Sequence, residues 1–187
     1  VGSGTALSVV NSVSAPNKVP TVACCAVTPA LTRMAEEGRT GGYFFRTIPP
    51  DTVQGAVLGQ IIAQDGVKNL AIAVFNDEYG TSLRDVVVKT VDDAGVNVVY
   101  GEKDTFDPTE TNFSSMVTAI KATNPDATLV IAFDQTVPLV KELAAQGLDT
   151  HKLYMTDGNT VIVNPLDPTP GVIDVVVPAF GTVVVED

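Results

Sequence analysis

The sequence predicts an α/β fold built on a doubly wound parallel sheet, and three observations carry that expectation. Short β-rich runs alternate with longer amphipathic runs through the middle of the chain. Residues 69–75 (NLAIAVF) form a continuous apolar run, the pattern of a strand buried on both faces. Gly95 and Gly147 each close a helical stretch just before the next β-rich run, as left-handed C-terminal caps do.

The elements follow in order. Residues 6–14 read as a helix, 19–23 as a strand and 43–46 (YFFR) as a second extended run, too few strands to close a sheet. Thr47-Ile48-Pro49-Pro50 is the best linker. Asp51 and Gln54 resemble a capping box opening a helix to about Gln64, which feeds the strand at Asn69. A helix over 81–93 leads to a strand at 97–100. After the polar loop 107–111, Asn112 can cap a helix running to about Ala122. A strand at 128–133, a helix at 137–146 with Pro138 in its first turn, and a strand at 152–155 complete the series. Beyond Asn164 the helical period fades, and 175–177 and 183–185 read as extended.

Charge narrows the function. The 187 residues carry 11 Lys and Arg against 22 Asp and Glu, a formal net charge of -11, with the basic residues scattered, so nucleic acid is excluded as an expected partner. No apolar run approaches the roughly 20 residues that span a bilayer. The absence of an initiator Met and the abrupt start at Val1-Gly2-Ser3-Gly4 suggest that the natural N-terminus is missing. Cys24 and Cys25 are adjacent and cannot staple a long loop. With His151 as the lone histidine far away they make a poor zinc set, so they read as small residues in a tight loop.

In open α/β sheets ligands bind beyond the carboxyl ends of the strands. The loops there are 23–29, 76–80, 134–136 and 156–159. There is no Gly-x-Gly-x-x-Gly after a strand, no phosphate loop with Lys and no Gly-x-Ser-x-Gly elbow, so no enzyme, catalytic residue, cofactor or metal is expected.

Several fragments occur in one family's order: Val19-Pro20-Thr21-Val22, Ala26-Val27-Thr28-Pro29-Ala30-Leu31-Thr32, Tyr43-Phe44-Phe45-Arg46-Thr47 with Asp51, Gln54 and Gly55, Asn76-Asp77 with Tyr79-Gly80, Phe113-Ser114, Asn124-Pro125-Asp126 and Ala145-Gln146-Gly147-Leu148. From Gly2 to about Pro178 the chain resembles the branched-chain amino-acid-binding (Leu/Ile/Val-binding) branch of the type I periplasmic binding proteins. The resemblance implies two flavodoxin-like lobes that close over a solute. Residues 1–48 would be a partial first lobe, 49–177 a nearly complete second lobe and 178–187 a return crossover, with a hinge near Thr47 to Asp51. Relatives carry further segments on both sides, which makes this chain a fragment by that reading.

The resemblance also assigns residues. Thr5, Ala26 and Thr28 fall at first-lobe contacts to a ligand carboxylate, Asp157 falls where an ammonium is bound, and Tyr79, Asp77 and Phe133 line the facing side. Val27 departs from the family by replacing a hydroxyl, which opens amides and small organic acids as ligands beside amino acids. The implied partners are that small molecule and an ABC permease. The implied place is periplasmic or extracellular, a membrane-anchored lipoprotein included. A ligand-sensing receptor domain of the same fold is the alternative, with a flavodoxin- or Rossmann-like enzyme behind it.

Plainer roles stand beside these. Asp157 in Thr-Asp-Gly-Asn suits a turn, Tyr79 can pack at a helix start, and Thr5 and Thr28 can cap helices. Arg46 reads as structural and His151 as a surface residue beginning a strand. Glu78, Asp104, Asp107 and Glu110 read as a solvated acidic surface, with Asp77 the carboxylate placed for the cleft.

Overall fold

A computed structural model describes residues 2–162. The expected extended runs at 175–177 and 183–185, and the return crossover, lie outside the described residues.

The chain opens with α1 (Ser3–Val9), which runs through a π-helical stretch (Val10–Ser14) into the short α2 (Ala15–Asn17). Then come β1 (Thr21–Ala23), α3 (Pro29–Glu36) and β2 (Phe44–Arg46). The helix α3 is absent from the sequence reading, although Thr28-Pro29 is an N-cap followed by the proline favoured at the first helical position. β1 and β2 pair in parallel, Val22 opposite Phe45. Those two side chains remain 69% and 56% exposed, so one face of this two-stranded sheet is open. Its other face packs Ala23, with Phe44 at the margin, on Ala6, Val10, Leu31 and Met34.

The second sheet is larger. After α4 (Asp51–Gln64) come β3 (Asn69–Val74), α5 (Glu78–Asp93), β4 (Asn97–Tyr100), α6 (Ser114–Ala122), β5 (Ala127–Ile131), α7 (Thr136–Ala145) and β6 (Leu153–Met155). All pairings are parallel and the strand order is β4-β3-β5-β6. β5 is buried along its whole length and β3 from Leu70 onward, which explains their unbroken apolar runs. α6 packs with α7, and α4 packs with α5. The latter contact is close because of two glycines: a Cβ at Gly55 would lie 2.7 Å from Val86, and one at Gly59 2.7 Å from Thr90.

Several boundaries differ from expectation. α5 begins at Glu78 rather than Thr81, because the Asp77 carboxylate caps it. His151 lies in a 3-10 turn (Thr150–Lys152) capped by Asp149, not in β6. The capping box is not formed. Pro50 holds the N-cap position of α4, the Asp51 carboxylate meets Ser82, and the Gln54 amide reaches Asp157, so tertiary partners displace the local pairing. Cys24 and Cys25 are joined as a vicinal disulfide in the exposed turn after β1. Among the described residues no helix is long and apolar enough to cross a membrane.

Candidate ligand-binding cleft

The strand order fixes where a site can form. From β3 the chain runs outward to β4, then crosses back to β5 on the other side, so the connections leaving β3 and β5 diverge. Such a switch point leaves a crevice at the carboxyl ends of the strands. The loops that follow β3, β5 and β6 meet there.

After β3, Asp77 Oδ1 accepts from the backbone N–H groups of Tyr79 (2.6 Å) and Gly80 (3.3 Å). This fixes Tyr79 at the start of α5, and it leaves Asp77 occupied as a cap rather than offered to the crevice. After β5, Phe133 stays 39% exposed and lies flat against Tyr79, ring centroids 5.3 Å apart and planes inclined by 11°. Phe75 meets Phe133 edge-on at 5.1 Å. After β6, a buried network holds the turn: Asn159 Nδ2 donates to Ala132 O (3.1 Å) and Thr136 Oγ1 (2.5 Å), while the Thr156 N–H donates to Asn159 Oδ1 (2.7 Å). Gly158 passes so closely beneath Phe133 that a Cβ there would come within 2.9 Å of its ring. Asp157 is thereby presented to the crevice, where its Oδ1 accepts from the Tyr79 hydroxyl (2.7 Å) and Gln54 Nε2 (3.0 Å). Burial and the adjacent Asp157 carboxylate push the Tyr79 phenol well above its ordinary pKa, so it acts as a donor.

The facing wall is built from the first elements. Ser3 Oγ accepts from the backbone N–H groups of Val27 and Thr28, both at 3.2 Å. Thr28 Oγ1 caps α3 by accepting from Ala30 N–H (3.2 Å), and its own proton goes to Glu78 Oε1 at 2.8 Å, the hydrogen bond that crosses the crevice. Arg46 donates to the carbonyls of Ala26 (3.3 Å) and Thr28 (3.1 Å) and to the Thr32 hydroxyl, a structural role as expected of it. Burial lowers the Arg46 pKa, and the Asp51 charge opposes that shift.

Asp51 sits where the two walls join. Its backbone N–H donates to Val27 O (2.8 Å), and its side chain is fully buried. Burial foremost, with Asp157 and Glu78 adding to it, raises its pKa to about 7 against the pull of Ser82 and Arg46. Ser82 Oγ stands 2.9 Å from Asp51 Oδ2 and 3.2 Å from Tyr79 O, with one hydrogen for two acceptors. A protonated Asp51 donating to Ser82 satisfies all three groups. Among the described residues, the buried Asp51 Oδ1 has no hydrogen-bond partner.

Of the residues singled out in the sequence, Tyr79, Phe133 and Asp157 come together on one wall and Ala26 and Thr28 on the other. Ala26 is fully buried, with its carbonyl held by Arg46. Thr5 lies exposed on α1, and the first-turn hydroxyl that serves the loop is that of Ser3. Three residues were not legible as cleft residues: Glu78, read as acidic surface, and Asp51 and Gln54, read as a local cap. For Glu78 a signal existed, because Asn76-Asp77-Glu78 follows a buried strand, where side chains of the first helical turn face the crevice.

Residues 1–179 match the family described as periplasmic binding protein. Over 99 residues, 51% of this chain and 25% of the relative, the sequence is 36% identical to a leucine-, isoleucine-, valine-, threonine- and alanine-binding protein of Pseudomonas aeruginosa. Among solved structures, an extracellular ligand-binding receptor from Rhodopseudomonas palustris HaA2 superposes with a TM-score of 0.73 at 20% identity, covering 84% of this chain and 42% of that one. A solute binding protein of an ABC transporter from R. palustris, in complex with benzoate, gives 0.71 at 20% identity, covering 82% and 41%. The chain thus spans a quarter of its curated relative and about two fifths of these solved ones. The fold is the α/β type I periplasmic binding protein fold with parallel sheets, present here as partial lobes, and the chain belongs to the periplasmic binding protein family.

Proposed function

We propose that this chain is part of the solute-binding component of an ABC importer and takes a small amino-acid-like ligand in the crevice without transforming it. One observation carries the reading: at the switch point of the sheet, a partly exposed Phe133 lies on Tyr79, whose hydroxyl is held by Asp157. That is an apolar shelf ending in a carboxylate, the combination that holds an amine by its charge and its hydrocarbon part by stacking. The ligand's ammonium goes to Asp157 and its side chain to Phe133, and Thr28 closes from the facing wall.

Closure about residues 47–51 brings the walls together, and the solute's higher affinity for the closed form shifts the population toward it. The loaded protein then delivers its solute to a membrane permease from the periplasmic or extracellular side, as a lipoprotein where an anchor is present. The family's solute-binding character and the names of the relatives above support this reading. Thermal-shift and calorimetric titration with branched-chain amino acids, amino amides and benzoates test it. At least one class raises the melting temperature with 1:1 stoichiometry and is recovered unchanged. Consumption of the ligand, or no shift with any class, contradicts the reading.

A further inference from the structure

Resting on that reading of the crevice, we infer that Glu78 sets the charge of the ligand: the cleft selects a small amine without a free carboxylate, an amine or amino amide rather than an amino acid or an aromatic acid.

A ligand carboxylate needs donors, and among the described residues the crevice offers a favourable one. The Thr28 hydroxyl stands at the N-terminus of α3, where the helix dipole favours negative charge. Glu78 already occupies it, with Oε1 accepting from Thr28 Oγ1 at 2.8 Å. The neighbouring cation is partly spent, because Arg46 already donates from Nη1 to Ala26 O and Thr28 O and from Nη2 to Thr32 Oγ1.

The remaining charges have the opposite sign to an amine. Asp51, Glu78 and Asp157 lie close enough for the latter two to bear on Asp51. At pH 8, above the value of about 7 to which burial raises Asp51, its own charge adds to the cluster, and its buried Oδ1 has no hydrogen-bond partner among the described residues. An entering carboxylate would displace Glu78 from its donor and add a like charge. An entering ammonium relieves the same field.

The test uses the full chain at pH 8 and low salt, with two matched pairs, leucinamide against leucine and tyramine against 4-hydroxybenzoate, measured by calorimetry and melting shift. The expected result is that the amine member of a pair binds about tenfold or more tighter than its acid, like-charge juxtaposition being worth that much. Glu78→Gln and Glu78→Ala each reduce the preference to near parity by strengthening acid binding. An acid that binds wild type as tightly as its amine, or a preference unchanged in both variants, overturns the inference while leaving solute binding intact. No binding by any of the four compounds to any of the three proteins overturns the binding reading itself, and this inference with it.

Discussion

The two ends of the four-stranded sheet handle carboxylates in opposite ways. At the amino end, a cavity of about 450 Å³ is lined by Asp65, Lys68, Asp126, Lys152 and Tyr154, among others. There Asp126 accepts from the backbone N–H groups of Lys68 (2.9 Å) and Asn69 (2.8 Å), which hold its carboxyl below the usual range. Asp65 accepts from the Tyr154 hydroxyl at 2.6 Å. At the carboxyl end, Asp51 is buried among other acids, has one oxygen without a partner among the described residues, and has its pKa raised to about 7. Acids paired with donors fasten the fold at one end, while at the other a buried acid stands among like charges.

The largest expected effect separates the two ends by pH. Because the folded pKa of Asp51 is raised, its contribution is full below the ordinary carboxylate range and is lost as pH rises from about 4 to about 7. A shift of that size corresponds to at most about 4 kcal/mol. Asp126, with a lowered pKa, acts in the opposite sense: its contribution is present above about pH 4 and is lost on acidification. Urea unfolding across pH 4 to 8 is therefore expected to show a downward trend that Asp51→Asn removes and Asp126→Asn leaves in place. A trend unchanged in Asp51→Asn breaks the contrast.

Next in size, Asp157→Asn is expected to weaken amine binding by about 100-fold, the value of a charge-assisted hydrogen bond in a desolvated site. Lys152→Ala, at the amino end, is expected to leave the dissociation constant within about twofold, an exposed charge far from the site counting for little. Calorimetry on the two variants checks both. Smaller still, Tyr154→Phe is expected to cost about 1 kcal/mol by removing the hydrogen bond to Asp65, with the ligand-induced melting shift preserved. Loss of that shift in Tyr154→Phe would place the ligand at the wrong end of the sheet.

How much of this was legible in the sequence depends on the range of the forces involved. β3 and β5 announce themselves as apolar runs because burial on both faces leaves no room for alternation. The C-terminal ends of α5 and α7 are marked by Gly95 and Gly147, which adopt φ of +78° and +79°. The strand ends also mark the loops that carry Tyr79 and Asp157, while Phe133, at the end of an expected strand, entered through the family resemblance. Asp51 and Gln54 misled because the same residue pair satisfies a local cap in isolation, whereas in the fold Ser82 and Asp157, distant in sequence, take both side chains. Glu78 stands in the 76–80 loop that the strand ends mark, but its pairing is not legible in sequence: its partner Thr28 lies 50 residues away, and no spacing rule couples them. The segment after β1 reads in sequence as a loop of ligand contacts, and the short α3 that Thr28-Pro29 opens there does not stand out from it.

A crystal structure of the chain grown with leucinamide tests the central claim most directly. The account predicts density between Phe133 and Thr28, with the amine within hydrogen-bond distance of Asp157. Density confined to the cavity beside Lys152 and Tyr154, with the crevice empty, would contradict it.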